Sequence, residues 1–191
     1  MQRGAPAVRQ AGVTLVELLT VVTIAGILMA IGVPSYRYIT TDNRTSTEAN
    51  KLLGDLQFAR SEAVREGQSI TVCVALSTNP TSPSCAASGT TTWEKGWIVF
   101  GDVNNDQTID TGDPVLRIQN AFGGSDTFGS NHSVSAVTFN RSGFVNQLGA
   151  TQVTVTLHDS TSYVTYTRCL NLTQAGMLSV QTHAQNPSGC S

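Results

Sequence analysis

Positive charge is scarce in this chain: 11 Lys and Arg stand against 13 Asp and Glu among 191 residues, for a net charge of −2. Beyond Glu66 only Lys95, Arg117, Arg141 and Arg168 are basic, so no broad cationic face is available for nucleic acid. Charged residues of both signs reach only 13%. That composition suits an extracytoplasmic, β-rich domain better than a charge-dense cytosolic helical one. No CxxC and no Cys/His spacing of a zinc site occurs, and His132, His158 and His183 lie in separate segments without a partner one helical turn away. Neither GxGxxG nor GxxxxGK[ST] is present, which argues against a phosphate cradle, and no serine sits in a GxSxG elbow. These absences point to a structural or binding protein and not an enzyme.

What is present begins with a long apolar run. Val13 to Val33 carries one ionisable side chain, Glu17. As a helix the run spans about 31 Å at ~1.5 Å per residue, enough to cross a bilayer core. No AxA-type cleavage site follows it, so a conventional secretory signal is disfavoured. Arg3 and Arg9 precede it and place the N-terminal side in the cytoplasm by the positive-inside rule. A carboxylate inside hydrocarbon costs roughly 2–3 kcal/mol on insertion scales. A partner for Glu17 is therefore needed.

Four cysteines allow three pairings, and an even count in a chain with an export-like N-terminus favours disulfides. The sequence-local pairs Cys73-Cys85 and Cys169-Cys190 are expected, each closing a short loop and contributing roughly 3 kcal/mol on chain-entropy grounds.

Past Pro34 the chain stays helix-compatible to Gly67, a plausible C-terminal cap, with Leu52, Leu53, Leu56, Ala59, Ala63 and Val64 forming one apolar stripe. Residues 40–50 hold almost no large apolar side chain and read as a bridge without a core of its own. From Ser69 the period changes to two. The strand expectations are SITVCVAL, GWIVF, VLRIQ, AVTFN, TQVTVTLHD, SYVTYTRCLNL and GMLSVQT, joined by turn signals into an antiparallel meander. FGGSDTFGSN reads as a mobile surface loop, and Trp93 and Trp97 as packing residues. The fold class is α+β: a long N-terminal transmembrane and amphipathic helix packed on an antiparallel β-sheet domain.

Asp102, Asn104, Asp106, Thr108, Asp110 and Asp113 occupy the first, third, fifth, seventh, ninth and twelfth places of a calcium-loop pattern. Gln107 replaces the glycine of the sharp turn, and Asp113 is shorter than the usual bidentate glutamate. A plain hairpin loop explains the same residues. Calcium is the one cofactor the sequence suggests.

Gly12-Val13-Thr14-Leu15-Val16-Glu17-Leu18-Leu19 resembles the processing site of type IV prepilins and type II secretion pseudopilins. The resemblance implies cleavage and N-methylation by a prepilin peptidase between Gly12 and Val13. Valine stands where the family usually has phenylalanine. It also implies that Glu17 pairs with the new amine of a neighbouring subunit, and that Pro34 is a helix-loosening break. The order FARSEAV, a Cys-bearing strand, WEKGWIVF, an Asp/Asn-rich loop, FNRSGFV and a strand with Cys169 resembles the FimT/GspH group of minor pilins and pseudopilins.

That resemblance divides the chain into a leader (1–12), a transmembrane assembly helix (13–33), an amphipathic helix continuing into the domain (34–67) and a periplasmic β-rich domain (68–191). The expected function is a structural minor pilin in the initiating or tip complex of a type IV pilus. Its partners are other minor and major pilins or pseudopilins, the prepilin peptidase and the inner membrane. The alternatives are a minor pseudopilin of a type II secretion system and a DNA-uptake pilin. DNA-binding relatives carry a Gly-Arg-x-Arg motif where this chain has Gly176-Met177-Leu178-Ser179, which argues against DNA.

Overall fold

The computed structural model describes residues 12–190. The expected leader, with Arg3 and Arg9, therefore lies outside the described residues except for Gly12. One helix, α1, runs from Leu15 to Glu66, and two compact units divide at Thr40/Thr41.

The first unit is the apolar stem. Its helix is not broken at Pro34, which sits inside α1. Proline lacks an N–H and so withdraws one rung of the hydrogen-bond ladder. The rungs on either side keep the segment helical.

The second unit begins with the rest of α1 and continues into ten strands: β1 Ile70–Ser77, β2 Ser84–Cys85, β3 Gly96–Gly101, β4 Val115–Asn120, β5 Thr127–Ser130, β6 Ala136–Phe139, β7 Val145–Asn146, β8 Gln152–His158, β9 Arg168–Thr173 and β10 Leu178–Thr182. They form two antiparallel sheets in place of a single meander. One has the order β4-β3-β1-β6-β7 with β2 on β1, the other β10-β9-β8-β5. The split comes from long-range pairing: Val72 of β1 opposes both Val99 of β3 and Val137 of β6. Similarly, β8 takes β5 on one side and β9 on the other.

Gly67 ends α1 in the left-handed conformation, φ 68°, with its N–H on the Ala63 carbonyl at 3.0 Å. Leu52, Leu56, Ala59 and Ala63 of the helix share one core with Ile70, Val72 and Val74 of β1, Trp97 and Val99 of β3, Phe139 of β6, and apolar residues of β8 and β9. The period-two pattern of β1 suggests one wet face, yet Cys73 and Ala75 on its other side are also buried, in a second cluster with Ile98, Phe100 and Ala136. Ile109, from the acidic loop, packs onto that cluster. The loop thus folds back over the outer face of the first sheet.

Two sequence readings change locally. FGGSDTFGSN contains strand β5, because Phe128 is buried in the core and pairs opposite Leu157. In SYVTYTRCLNL only the second half is a strand. The Asp159 carboxylate accepts the N–H groups of Thr161 and Tyr163 at 3.1 and 3.0 Å and draws the first half into a turn.

Candidate assembly site

The stem's first turn is organised by two polar side chains. Thr14 precedes the helix, and its Oγ1 accepts the N–H of Glu17 at 3.3 Å. This is the N-cap and N3 spacing of a capping box, with Glu17 placed where the helix dipole favours negative charge. The hydroxyls of Thr20 and Thr23 donate back to the carbonyls of Glu17 and Leu19 at 2.9 and 2.7 Å. Those threonines are satisfied inside the helix, as a segment surrounded by hydrocarbon requires.

The apolar side chains have no such cover. The most hydrophobic window of the helix has mean hydropathy 2.3 and none of it is buried. Glu17 is likewise exposed, and a Cβ at Gly12 would meet nothing within 4 Å. An uncovered stem long enough to cross a membrane, with one acid in its first turn, can be stabilised only by lipid or by other apolar helices.

Charge governs the start of α1 within the second unit. Thr45, Glu48 and Ala49 are buried, so the stretch read as a bridge is docked through polar groups. Arg168 of β9, itself buried, reaches the Asp42 carboxylate, donates Nε to Ser46 Oγ at 3.1 Å, and donates Nη1 to the carbonyls of Thr165 and Thr167. Arg44 donates to Asp126 Oδ1 at 2.7 Å. Glu48 lies beside Asp126, and burial, helped by that second acid, pushes the Glu48 carboxyl up to about 7. Asp42, Arg44, Glu48, Asp126 and Arg168 escaped the sequence reading. The available signal was Arg168 itself, a lone cation in the apolar strand RCLNL of a charge-poor domain.

The acidic loop has its own polar framework. Asp102 is fully buried and accepts Thr71 Oγ1 at 2.7 Å and the N–H groups of Asp106 and Gln107 at 3.2 and 3.1 Å. Gln107 adopts φ 64°, the conformation glycine usually supplies at the sixth loop place, and its side-chain amide donates to Thr138. Thr108 donates to Asp106 through its hydroxyl and N–H and holds that carboxyl below the usual range. Asp113 accepts the N–H of Asp110 at 3.0 Å. The Asn104 amide donates to Asp106 at 2.9 Å and to Asp110 at 3.0 Å. It bridges the carboxylates that a calcium ion would have to draw together. Among the described residues no group of three or more His, Cys, Asp or Glu is arranged to hold a metal. The geometry makes the loop a lid on the sheet, with Asp102 as its anchor. Asp102→Ala is expected to destabilise the domain by about 1–3 kcal/mol, because it takes the acceptor from the buried Thr71 hydroxyl and from the half-buried N–H of Gln107. Urea unfolding of the two proteins checks this.

The disulfides Cys73–Cys85 and Cys169–Cys190 staple β2 to β1 and the C-terminus to β9. Trp93 and Trp97 are buried and donate their indole N–H groups to the Val134 carbonyl and Asp55. Gly176 turns β9 into β10 with φ 73°, so close to the Gly143 carbonyl that a Cβ would lie 2.3 Å from it.

Comparison with known proteins adds two kinds of finding. The family described as type II transport protein GspH matches residues 48–176, and the prokaryotic N-terminal methylation motif matches residues 8–33. A crystal structure of the type IV minor pilin FimU from Pseudomonas aeruginosa PAO1, in space group P21, is similar with TM-score 0.58 and 23% identity. The match covers 78% of this chain and 97% of that one. A second FimU crystal form, P65, gives TM-score 0.56 and 22% identity over 75% and 97% of the two chains. At that identity the likeness speaks for the fold. No curated protein matches the chain.

Proposed function

The chain belongs to the GspH family and carries the N-terminal methylation motif, which makes it a pilin or pseudopilin subunit; from that premise we propose that it is a structural minor pilin of a type IV pilus. Its place is the initiating or tip complex. The observation that carries this reading is the uncovered apolar stem with Glu17 in its capped first turn.

In this reading a prepilin peptidase cuts between Gly12 and Val13 and methylates the new amine, which is cationic near neutral pH. Before assembly the stem rests in the inner membrane, leader side in the cytoplasm and β-domain in the periplasm, consistent with Arg3 and Arg9. Assembly moves the stem from lipid into a bundle of like stems. Glu17 meets the amine of an adjacent subunit there, and a subunit out of register would leave a carboxylate unpaired in an apolar bundle. The domain's work is contact with other pilins, without catalysis. The match to type II transport proteins favours one second reading, a minor pseudopilin of a secretion system.

Gly12→Leu is expected to fold and insert normally, since the site has room for a side chain, but to remain uncut. Intact-mass analysis should find the parent beginning at a methylated Val13 in sheared filaments and the variant only as precursor in membranes. A variant that is cut and incorporated like the parent would defeat the processing reading. Loss of surface fibres on deletion, with secretion intact, separates pilus from secretion system.

A further inference from the structure

Two acids are buried against each other where α1 meets the loop before β5. Glu48 is 5% and Asp126 6% exposed, and the charge of the Asp126 carboxyl acts on Glu48. Arg44 engages only Asp126 Oδ1. Glu48 Oε2 and Asp126 Oδ2 are buried with no hydrogen-bond partner. One arginine thus serves two acids. Lys51 does not supply the missing cation at hydrogen-bonding range; its Nζ sits over the Phe122 ring, 5.6 Å from the centroid.

We propose that the Glu48–Asp126 pair is a proton-operated latch between α1 and the loop 121–126: closed while Glu48 keeps its proton beside the Asp126 carboxyl, loosened when Glu48 ionises. The proton on Glu48 makes it a donor and removes its charge from the neighbourhood of Arg44. Removing it puts two buried carboxylates together, where repulsion and lost hydration act in the same direction.

The loop has a limited hold of its own. Phe122 donates its N–H to the Glu94 carbonyl, and its ring packs on Trp97. Phe128, just beyond, donates to Glu94 Oε2. The charged groups around the pair are Arg44 and Lys51 on the same helix and Asp126 on the loop. Asp159, after β8, acts through Arg44, while Arg168 of β9 acts through Ser46 and Asp42. His158 is the cross-strand partner of Thr127, next to Asp126.

The sign follows from the raised acid. Glu48 titrates near its ordinary value, 4.5, when unfolded and at about 7 when folded. Between those values the native state holds the extra proton. The latch's contribution is complete below the lower value and is lost as pH rises through the upper one. The latch thus tightens in acid, opposite to the common carboxylate that pairs with a cation and weakens on protonation.

The test is thermal unfolding of the full chain in detergent micelles from about pH 4 to about pH 8, comparing the parent with Glu48→Gln. Glutamine mimics the protonated acid. The two melting temperatures should agree within about 1 °C at the acid end, and the parent should fall several degrees below the variant at the basic end. In Asp126→Asn, Arg44 is free to turn to Glu48, and the Glu48-dependent fall should move down by about one pH unit or more. Amide exchange at Phe122 and Phe128 should quicken above about pH 7 in the parent beyond the intrinsic rate, and not in Glu48→Gln. Parallel curves for parent and Glu48→Gln, or no movement of the fall in Asp126→Asn, would overturn the latch.

Discussion

Glu17→Leu is expected to enter the membrane and lose its leader as the parent does, yet to fall to background in sheared filaments. Insertion should be easier, since removing a carboxylate from an apolar helix relieves roughly 2–3 kcal/mol. The helix start should survive, because Thr14 Oγ1 accepts the backbone N–H of residue 17 and not its side chain. What remains is the contact between subunits. Under the proposed pairing, loss of Glu17 leaves the neighbour's ammonium without a counter-charge inside the bundle, a loss of about 3–5 kcal/mol, or at least a hundredfold in the assembly equilibrium. Immunoblots of membrane and filament fractions measure both halves of the claim. Glu17→Asp, with charge but shorter reach, should recover part of the filament signal. Equal incorporation of Glu17→Leu and parent would refute the pairing.

The stem was legible because its signal is local and one-dimensional: an apolar run of fixed length with a single acid near its start. The Thr14 cap three residues before that acid was not read from the sequence and came only with the structure. Strand β1 was legible for a similar reason, through the alternation Ile70, Val72, Val74. Its second buried face was not, because the cover comes from Ile109, Ile118 and the disulfide partner Cys85, none of which leaves a mark on β1 itself. Strand β5 hid among glycines, with one buried aromatic to betray it. The two-sheet arrangement depends on which distant edges pair, and local periodicity carries no such information. The polar docking of residues 42–48 was the largest misreading. An absence of apolar side chains suggested an undocked bridge, whereas the anchoring residues lie 82 and 126 positions away. The acidic loop shows a subtler limit. Its oxygens follow a calcium pattern, but the same oxygens accept N–H and hydroxyl donors from the loop, and the sequence does not say which use prevails.

Arg168→Ala should produce the largest loss of domain stability among single substitutions at the polar dock. The guanidinium satisfies Asp42, Ser46 and the carbonyls of Thr165 and Thr167 from one buried position. Its removal leaves several acceptors without donors and an acid without its cation, a cost of about 3–5 kcal/mol. For a domain of this size that corresponds to a melting temperature lower by on the order of 10 °C. Asp42→Ala should cost far less, because Asp42 is partly open to water and Arg168 keeps three other acceptors. The asymmetry is the informative part: if the two substitutions cost the same, the ion pair alone would carry the dock. In the double variant the loss should be close to that of Arg168→Ala, since Asp42 has no partner left to lose. Arg168→Ala should also remain membrane-inserted and cleaved, since its defect lies in the second unit. Glu17→Leu should show the reverse pattern, an unaltered domain melt with failed incorporation, so the two substitutions separate the stability of the domain from the assembly of the stem.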